Sequence, residues 1–177
     1  MKKINKIIIL LVISILVTTG CEEQEKTSTT NNNKVVSNGE TVNTDTMKHK
    51  VCTRDADAGT GTEMVLQYDV YYTGEILNLL ISHEELITEN KDTLDEFEDA
   101  YKKIATNYAG LEYYEQNVTR TDNSVTNETT INYDKIDIQK LLDIEGEEDN
   151  IIENGKAKVD LYLDLLEKFG GTCEDVE

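Results

Sequence analysis

The chain has no proline, two histidines and three cysteines in 177 residues, and its 17 lysines and arginines face 36 acidic residues. Without proline, no helix or strand along it loses a backbone N–H to ring closure. His49 and His83 are its histidines, and beyond residue 48 its serines are Ser82 and Ser124, so a nucleophilic triad has few possible members. Ser82 and His83 are neighbours on an expected strand, where consecutive side chains point to opposite faces, which works against a nucleophile–base pair. No C-x-x-C pair exists to nucleate a zinc site. The formal net charge of −19 leaves too little lysine and arginine for phosphate contacts, and so argues against nucleic acid and against adsorption of the folded part onto anionic lipid. No motif recurs at a period of about 20 to 50 residues, which sets aside solenoids and propellers.

What is present begins at the N-terminus. Lys2, Lys3 and Lys6 precede an apolar run over residues 7–17, followed by Thr19, Gly20 and Cys21. A helix needs about 20 apolar residues to span a bilayer core, and this run supplies roughly half, so it reads as the h-region of an export signal. Small residues ahead of Cys21 suit a lipoprotein signal peptidase, although Thr18 stands where such sites usually carry leucine or valine. The expectation is cleavage before Cys21 and a diacylglyceryl thioether on its sulfur, anchoring the chain at the extracytoplasmic face of the cell membrane. Residues 1–20 are then the signal peptide, and their loss takes the net charge from −19 to −22 because three lysines leave and no acid does.

Residues 21–47 are dominated by threonine, serine, asparagine and glutamate and contain no aromatic side chain, so they read as a disordered tether with an r.m.s. span of about 30 Å. From residue 48 to 177 the apolar and aromatic content suffices for one core, and a single domain is expected. Residues 64–72 and 75–87 flank Thr73-Gly74 as a first hairpin. Leu94, Phe97, Tyr101, Ile104 and Tyr108 mark an amphipathic helix with Asp92 as its cap and Gly110 just past its end. Residues 111–120 and 124–133 flank Thr121-Asp122-Asn123 as a second hairpin. Asp137 can cap a short helix carrying Ile138, Leu141 and Leu142. Val159, Tyr162, Leu163, Leu166 and Phe169 mark a last helix, stopped at Gly170-Gly171. The fold class is α+β, an antiparallel sheet built from two hairpins with helices packed on one face.

Export makes a Cys52–Cys173 disulfide the natural pairing once Cys21 is lipidated. Two free thiols, or a zinc site that adds His49 and His83, are the alternatives. Asp55, Asp57, Gly59, Gly61 and Glu63 alternate acids and glycines as a calcium loop would. Leu66, however, stands where the twelfth ligand of an EF-hand must be a bidentate glutamate, so a solvated loop is preferred. The run Glu145-Gly146-Glu147-Glu148-Asp149 reads as a charged surface loop. The sequons at Asn117 and Asn127 are incidental in a bacterial lipoprotein. Tyr101, Tyr108 and Tyr162 lie on apolar helix stripes and read as core, while Tyr113 and Tyr114 should face opposite sides of the sheet.

Tyr68-x-x-Tyr71-x-x-Gly74, Tyr108-Ala109-Gly110-Leu111, residues 131–137 (Ile-Asn-Tyr-Asp-Lys-Ile-Asp) and the stretch from Leu161-Tyr162 to Phe169-Gly170 together resemble the YehR-like bacterial lipoproteins, over essentially the whole domain from Cys52 to Cys173. The resemblance implies a lipid-anchored extracytoplasmic protein with a domain of unassigned function and no catalytic residues to transfer. The expected activity is therefore that of a non-enzymatic binding or interaction domain, without cofactor or bound metal. The domain is short for the two lobes of a solute-binding protein. The alternative is a small cell-envelope hydrolase that uses carboxylates.

Overall fold

A computed structural model describes residues 34–56, 61–146 and 150–176. In chain order the elements are β1 (Lys34–Ser37), β2 (Glu40–Asn43), β3 (Lys48–Asp55), β4 (Thr62–Thr73), β5 (Ile76–Thr88), α1 (Lys91–Asn107), β6 (Tyr114–Arg120), β7 (Ser124–Asn132), α2 (Ile138–Glu145), β8 (Ile152–Glu153), β9 (Lys156–Ala157), α3 (Val159–Lys168) and β10 (Gly171–Asp175). Six strands form one antiparallel sheet in the order β10-β3-β4-β5-β7-β6, while β1-β2 and β8-β9 are separate two-stranded ribbons. The molecule is α+β, and the two expected hairpins, β4-β5 and β6-β7, meet through β5 and β7 at the centre of the sheet.

Alternation decides which face is covered. Leu66, Tyr68, Val70 and Tyr72 of β4 are buried while their odd-numbered neighbours are half-buried or exposed. The register carries that face across the sheet: Tyr68 lies opposite Ser82 and Cys52, Ser82 opposite Thr129, and Thr129 opposite Gln116. The β4-β5 turn uses Gly74 at φ 60°, a left-handed conformation that favours glycine. A bulge at Tyr71/Tyr72 leaves Asn78 outside the ladder, and its amide donates to both Asp134 oxygens at 2.8 and 3.0 Å, tying β5 to the loop before α2.

Helix α1 is capped by Asn90, not Asp92. Asn90 is extended, its carbonyl accepts the first helical bond from Leu94, and its side chain accepts from the N–H groups of Asp92 and Thr93. Leu94, Phe97 and Tyr101 then pack with Leu86 and Val125 into one apolar cluster. Strand β6 starts at Tyr114 because Tyr113 sits at φ 66° and Tyr114 N–H turns back onto Leu111. Tyr113 and Tyr114 therefore do not alternate on one strand, and both are half-buried. Asp137 caps α2 as expected, through Lys140 N–H at 3.2 Å. Helix α3 has no side-chain cap; its first N–H, that of Val159, donates to the Glu75 carbonyl at 3.1 Å, so the β4-β5 turn holds its start.

The segment expected as a tether is structured from residue 34. Lys34 pairs with Asn43 and Ser37 with Glu40 around Asn38-Gly39, both at positive φ, the geometry of a tight hairpin turn. Ser37 is fully buried, Asn38 N–H donates to the Glu115 carboxylate and Lys135 pairs with Glu40, so the ribbon is docked on the domain.

The C-terminal tail forms the edge strand β10. Cys173 lies directly opposite Cys52, and the two are joined in a disulfide with S–S 2.04 Å across a sequence separation of 121. Only Gly170, at φ 82°, lies between Phe169, the cap that ends α3, and Gly171, the first residue of β10. The chain reverses so tightly that a Cβ on Gly171 would stand 2.9 Å from the Leu166 carbonyl oxygen.

Reducing the Cys52–Cys173 bridge should lower the unfolding free energy by about 3–5 kcal/mol, from the loop length it closes, in denaturant titrations with and without reductant. Gly171→Ala should cost about 1–3 kcal/mol through overpacking against the Leu166 backbone, read from the denaturation midpoint, and an unchanged midpoint would contradict that contact.

Candidate functional site

The covered face of the sheet is not uniformly apolar. One cluster, under α2 and α3, gathers Val70, Leu80, Ile131, Tyr162 and Leu166; the other, under α1, gathers Leu86, Leu94 and Val125. Between them the cross-strand register sets a seam of polar side chains: Ser82 and Glu84 on β5, Asn127 and Thr129 on β7, and Gln116 on β6. Ser82, Asn127 and Thr129 are buried and Glu84 is half-buried.

Glu84 is the centre of this seam. Tyr68 Oη donates to its Oε1 at 3.2 Å and Asn127 Nδ2 donates to its Oε2 at 3.3 Å, while the phenol of Tyr101 on α1 also favours its charged form. Gln116 orients the asparagine by donating Nε2 to Asn127 Oδ1 at 2.7 Å, which leaves the amide nitrogen to face the carboxylate. Burial raises the Glu84 carboxyl above its ordinary range; the bonds from Asn127, Tyr68 and Tyr101, and the charge of Arg54, pull it only partly back. The same carboxylate, with burial as the larger cause, pushes the phenols of Tyr68 and Tyr101 upward. Tyr162, on α3, is 2 % exposed, and its hydroxyl has no hydrogen-bond partner among the described residues. Burial pushes its phenol well upward, and the negative charge of Glu84 adds a smaller part.

A second carboxylate is held similarly. Glu145, the last residue of α2, accepts from Tyr108 Oη at 2.9 Å, and Tyr108 stacks on Tyr114 with ring centroids 4.2 Å apart. Burial raises Glu145 too. This corrects the reading of Glu145 as part of a surface loop; residues 147–149 of that acidic run lie outside the described residues.

The remaining sequence candidates separate. Ser82 is buried on the covered face, while His83 lies on the open face, 3.7 Å from Glu128. His49 also lies on the open face, stacked on Tyr71 at 4.2 Å with Nε2 2.7 Å from Asp69 Oδ1. Cys52 and Cys173 are bonded to one another, so neither is a thiolate that could join the histidines on zinc. Among the described residues no group of three or more His, Cys, Asp and Glu side chains could hold a metal ion. The Asp55-to-Glu63 loop is only partly described, and Asp57 and Gly59 lie outside it, as does Cys21. Ser124 is taken up in the β6-β7 turn, its N–H donating to Thr121 Oγ1 at 2.9 Å. Asn127, read as an incidental sequon, is the buried amide on Glu84, whereas Asn117 is exposed on β6. Tyr101, Tyr108 and Tyr162 are core residues as their helical spacing implied.

No protein-family profile matches the chain, and no curated protein matches its sequence. Among solved structures, the NMR structure of the E. coli YehR protein matches with a TM-score of 0.50 at 18 % identity, over 75 % of this chain and 95 % of that one. An NMR structure of a protein from Streptococcus pneumoniae TIGR4 matches with a TM-score of 0.45 at 12 % identity, over 88 % of this chain and 100 % of that one. The chain thus shares the fold of YehR.

The raised Glu84 carboxyl fixes the sign of a pH effect. A carboxyl that holds its proton more tightly in the folded state destabilises the fold above its native value. The penalty fades as pH falls through that value and is gone below the ordinary 4.5. Wild type should therefore gain stability relative to Glu84→Gln as pH falls from neutral to 4.5, measured as the difference in Tm; a difference that does not change with pH would refute a buried charge at this position.

Proposed function

We propose that the chain is an extracytoplasmic lipoprotein, anchored by a diacylglyceryl group on Cys21, whose α+β domain binds a partner or ligand and performs no catalysis. The observation that carries the anchor is the N-terminal pattern: three lysines, an apolar run too short to span a bilayer, then Thr19-Gly20-Cys21. The Cys52–Cys173 disulfide supports export, because such bridges persist in oxidising compartments. Among the described residues no helix is long and apolar enough to cross a membrane, so attachment in this reading falls to the lipid.

The non-catalytic reading is supported by how the reactive side chains are committed. The groups that bear on Glu84 are two tyrosines, an asparagine and an arginine, not the second carboxylate that glycoside hydrolysis pairs with the first. Each histidine is on the open face beside an acid of its own, whereas Ser82 is buried on the opposite face.

In a detergent phase-separation experiment the full chain expressed in a bacterial host should partition into the detergent phase and carry diacylglyceryl mass on a Cys21 N-terminus. Cys21→Ala should move it to the aqueous phase. Wild-type protein recovered in the aqueous phase with an unmodified cysteine would overturn the anchor.

A further inference from the structure

Charge is sorted between the two faces of the sheet. The basic side chains of its six strands are Lys48, Lys50, Arg54 and Arg120, and each stands opposite a buried residue of the covered face: Tyr72, Val70, Leu66 and Val125. The helices pack on that face too. The acids go the other way. Glu63, Asp69, Glu85, Glu115 and Glu128 alternate onto the open face, where Glu85 stands opposite Val65 and Thr126, and Glu128 opposite His83 and Asn117. Among the described residues no strand supplies a lysine or arginine to this face, and its ion pairs are those of the histidines, His49 with Asp69 and His83 with Glu128. An ordinary solvated face intersperses both signs. Between the acids lies aliphatic surface: Val51 and Ile81 flank Asp69 from the neighbouring strands, and Val65 is 38 % exposed. The β1-β2 ribbon docks at the Glu115 corner through Asn38 N–H, and Glu63, Val65, Gln67 and Glu128 remain exposed.

We propose that the open face of the sheet is a docking surface for a lysine-rich segment of another protein, with Glu63, Glu85 and Glu128 taking its ammonium groups and Val51, Val65 and Ile81 packing against its side-chain stems. Lysine offers both halves of that match on one side chain, an aliphatic stem that lies along apolar surface and a charge that reaches past it to a carboxylate. The acids on β4, β5 and β7 spread the negative charge over two strand spacings, about 10 Å, which suits several cations on one chain better than a single compact ion. Other occupants fit worse. A second copy would bring the same acids against themselves, and phosphate or anionic lipid meets the same repulsion. Among the described residues no group of three or more His, Cys, Asp and Glu side chains could hold a metal ion.

The proposal rests on the reading of the domain as a binding module and is independent of the anchor. The full chain, expressed in a bacterial host and purified in octyl glucoside, is titrated with decalysine at constant ionic strength and followed by 1H–15N NMR, with decaglutamate and spermidine as controls. Saturable shifts are expected at the amides of Val65, Gln67, Glu85 and Glu128 with decalysine. Removing two charges from the face, by Glu85→Gln with Glu128→Gln, should weaken binding about fivefold or more. Removing two from exposed positions of α1, by Glu96→Gln with Asp99→Asn, changes the net charge equally and should weaken it less than about twofold. Val65→Thr, which changes no charge, should also weaken binding. Equal losses from the two double variants, or shifts centred on α1, would show general attraction to an acidic protein and overturn the surface. Spermidine binding as tightly at the same amides would overturn the protein partner. Where Glu85→Gln with Glu128→Gln fails to fold, the map of shifted amides and Val65→Thr decide the matter. Loss of the surface leaves the non-catalytic reading to be overturned by measured turnover alone, and lipid at Cys21 is read separately from the mass of the N-terminus.

Discussion

The pairing of β10 with β3, sealed where Cys173 stands opposite Cys52, is the constraint on which the arrangement of the domain depends. Helix α3 hands over to β10 through Phe169 and Gly170, and Gly171 lies against the Leu166 backbone, so placing the strand places the helix. That helix carries Val159, Tyr162 and Leu166 into the larger apolar cluster. A five-residue edge strand with exposed residues along it would fray readily at a chain terminus. The covalent bond removes that freedom, and the two ends of the domain become one edge of its sheet.

Against this closed edge, the centre of the sheet tolerates polarity. Leu66 and Leu86 flank Glu84 on the same face, yet Asn127 stands opposite it and Ser82, Thr129 and Gln116 form the next cross-strand row, so the carboxylate is met by hydrogen-bonding side chains instead of hydrocarbon alone. Tyrosine suits both demands: the rings of Tyr68 and Tyr101 join the apolar clusters while their hydroxyls reach the carboxylate. Glu145 with Tyr108 repeats the solution at the end of α2. The core is thus two apolar bodies divided by a hydrogen-bonded polar partition.

Long periodic elements were legible from the residues alone. The alternation through β4 and the three-and-four spacing from Leu94 to Tyr108 each bury one face, and burial is what periodicity encodes. Short elements were not: β8 and β9 have two residues each, and β10 is mostly exposed. In β1-β2 the polar composition outweighed the local signal, although Asn38-Gly39 flanked by Val35-Val36 and Thr41-Val42 is the strongest short hairpin cue the chain offers. Glu84 was hidden for a different reason. Even spacing from Leu80 and Leu86 puts it on the covered face, but the residues that make burial tolerable come from β4, β7 and α1, which only the register brings together. The bulge at Asn78 likewise leaves no mark in the sequence beyond a buried amide that needed an acceptor.

Among the described residues β6 and β10 are the outermost strands of the sheet, in a chain that has no proline to blunt either. Each edge instead carries acids, Glu115 on one and Glu174 and Asp175 on the other, within a protein whose overall charge is strongly negative. Two copies meeting strand to strand would oppose like charges along the very groups that would have to hydrogen-bond, a repulsion that grows as ions are removed. Electrostatics therefore serves this sheet as imino acids serve others, keeping crowded neighbours from zipping into a continuous ribbon.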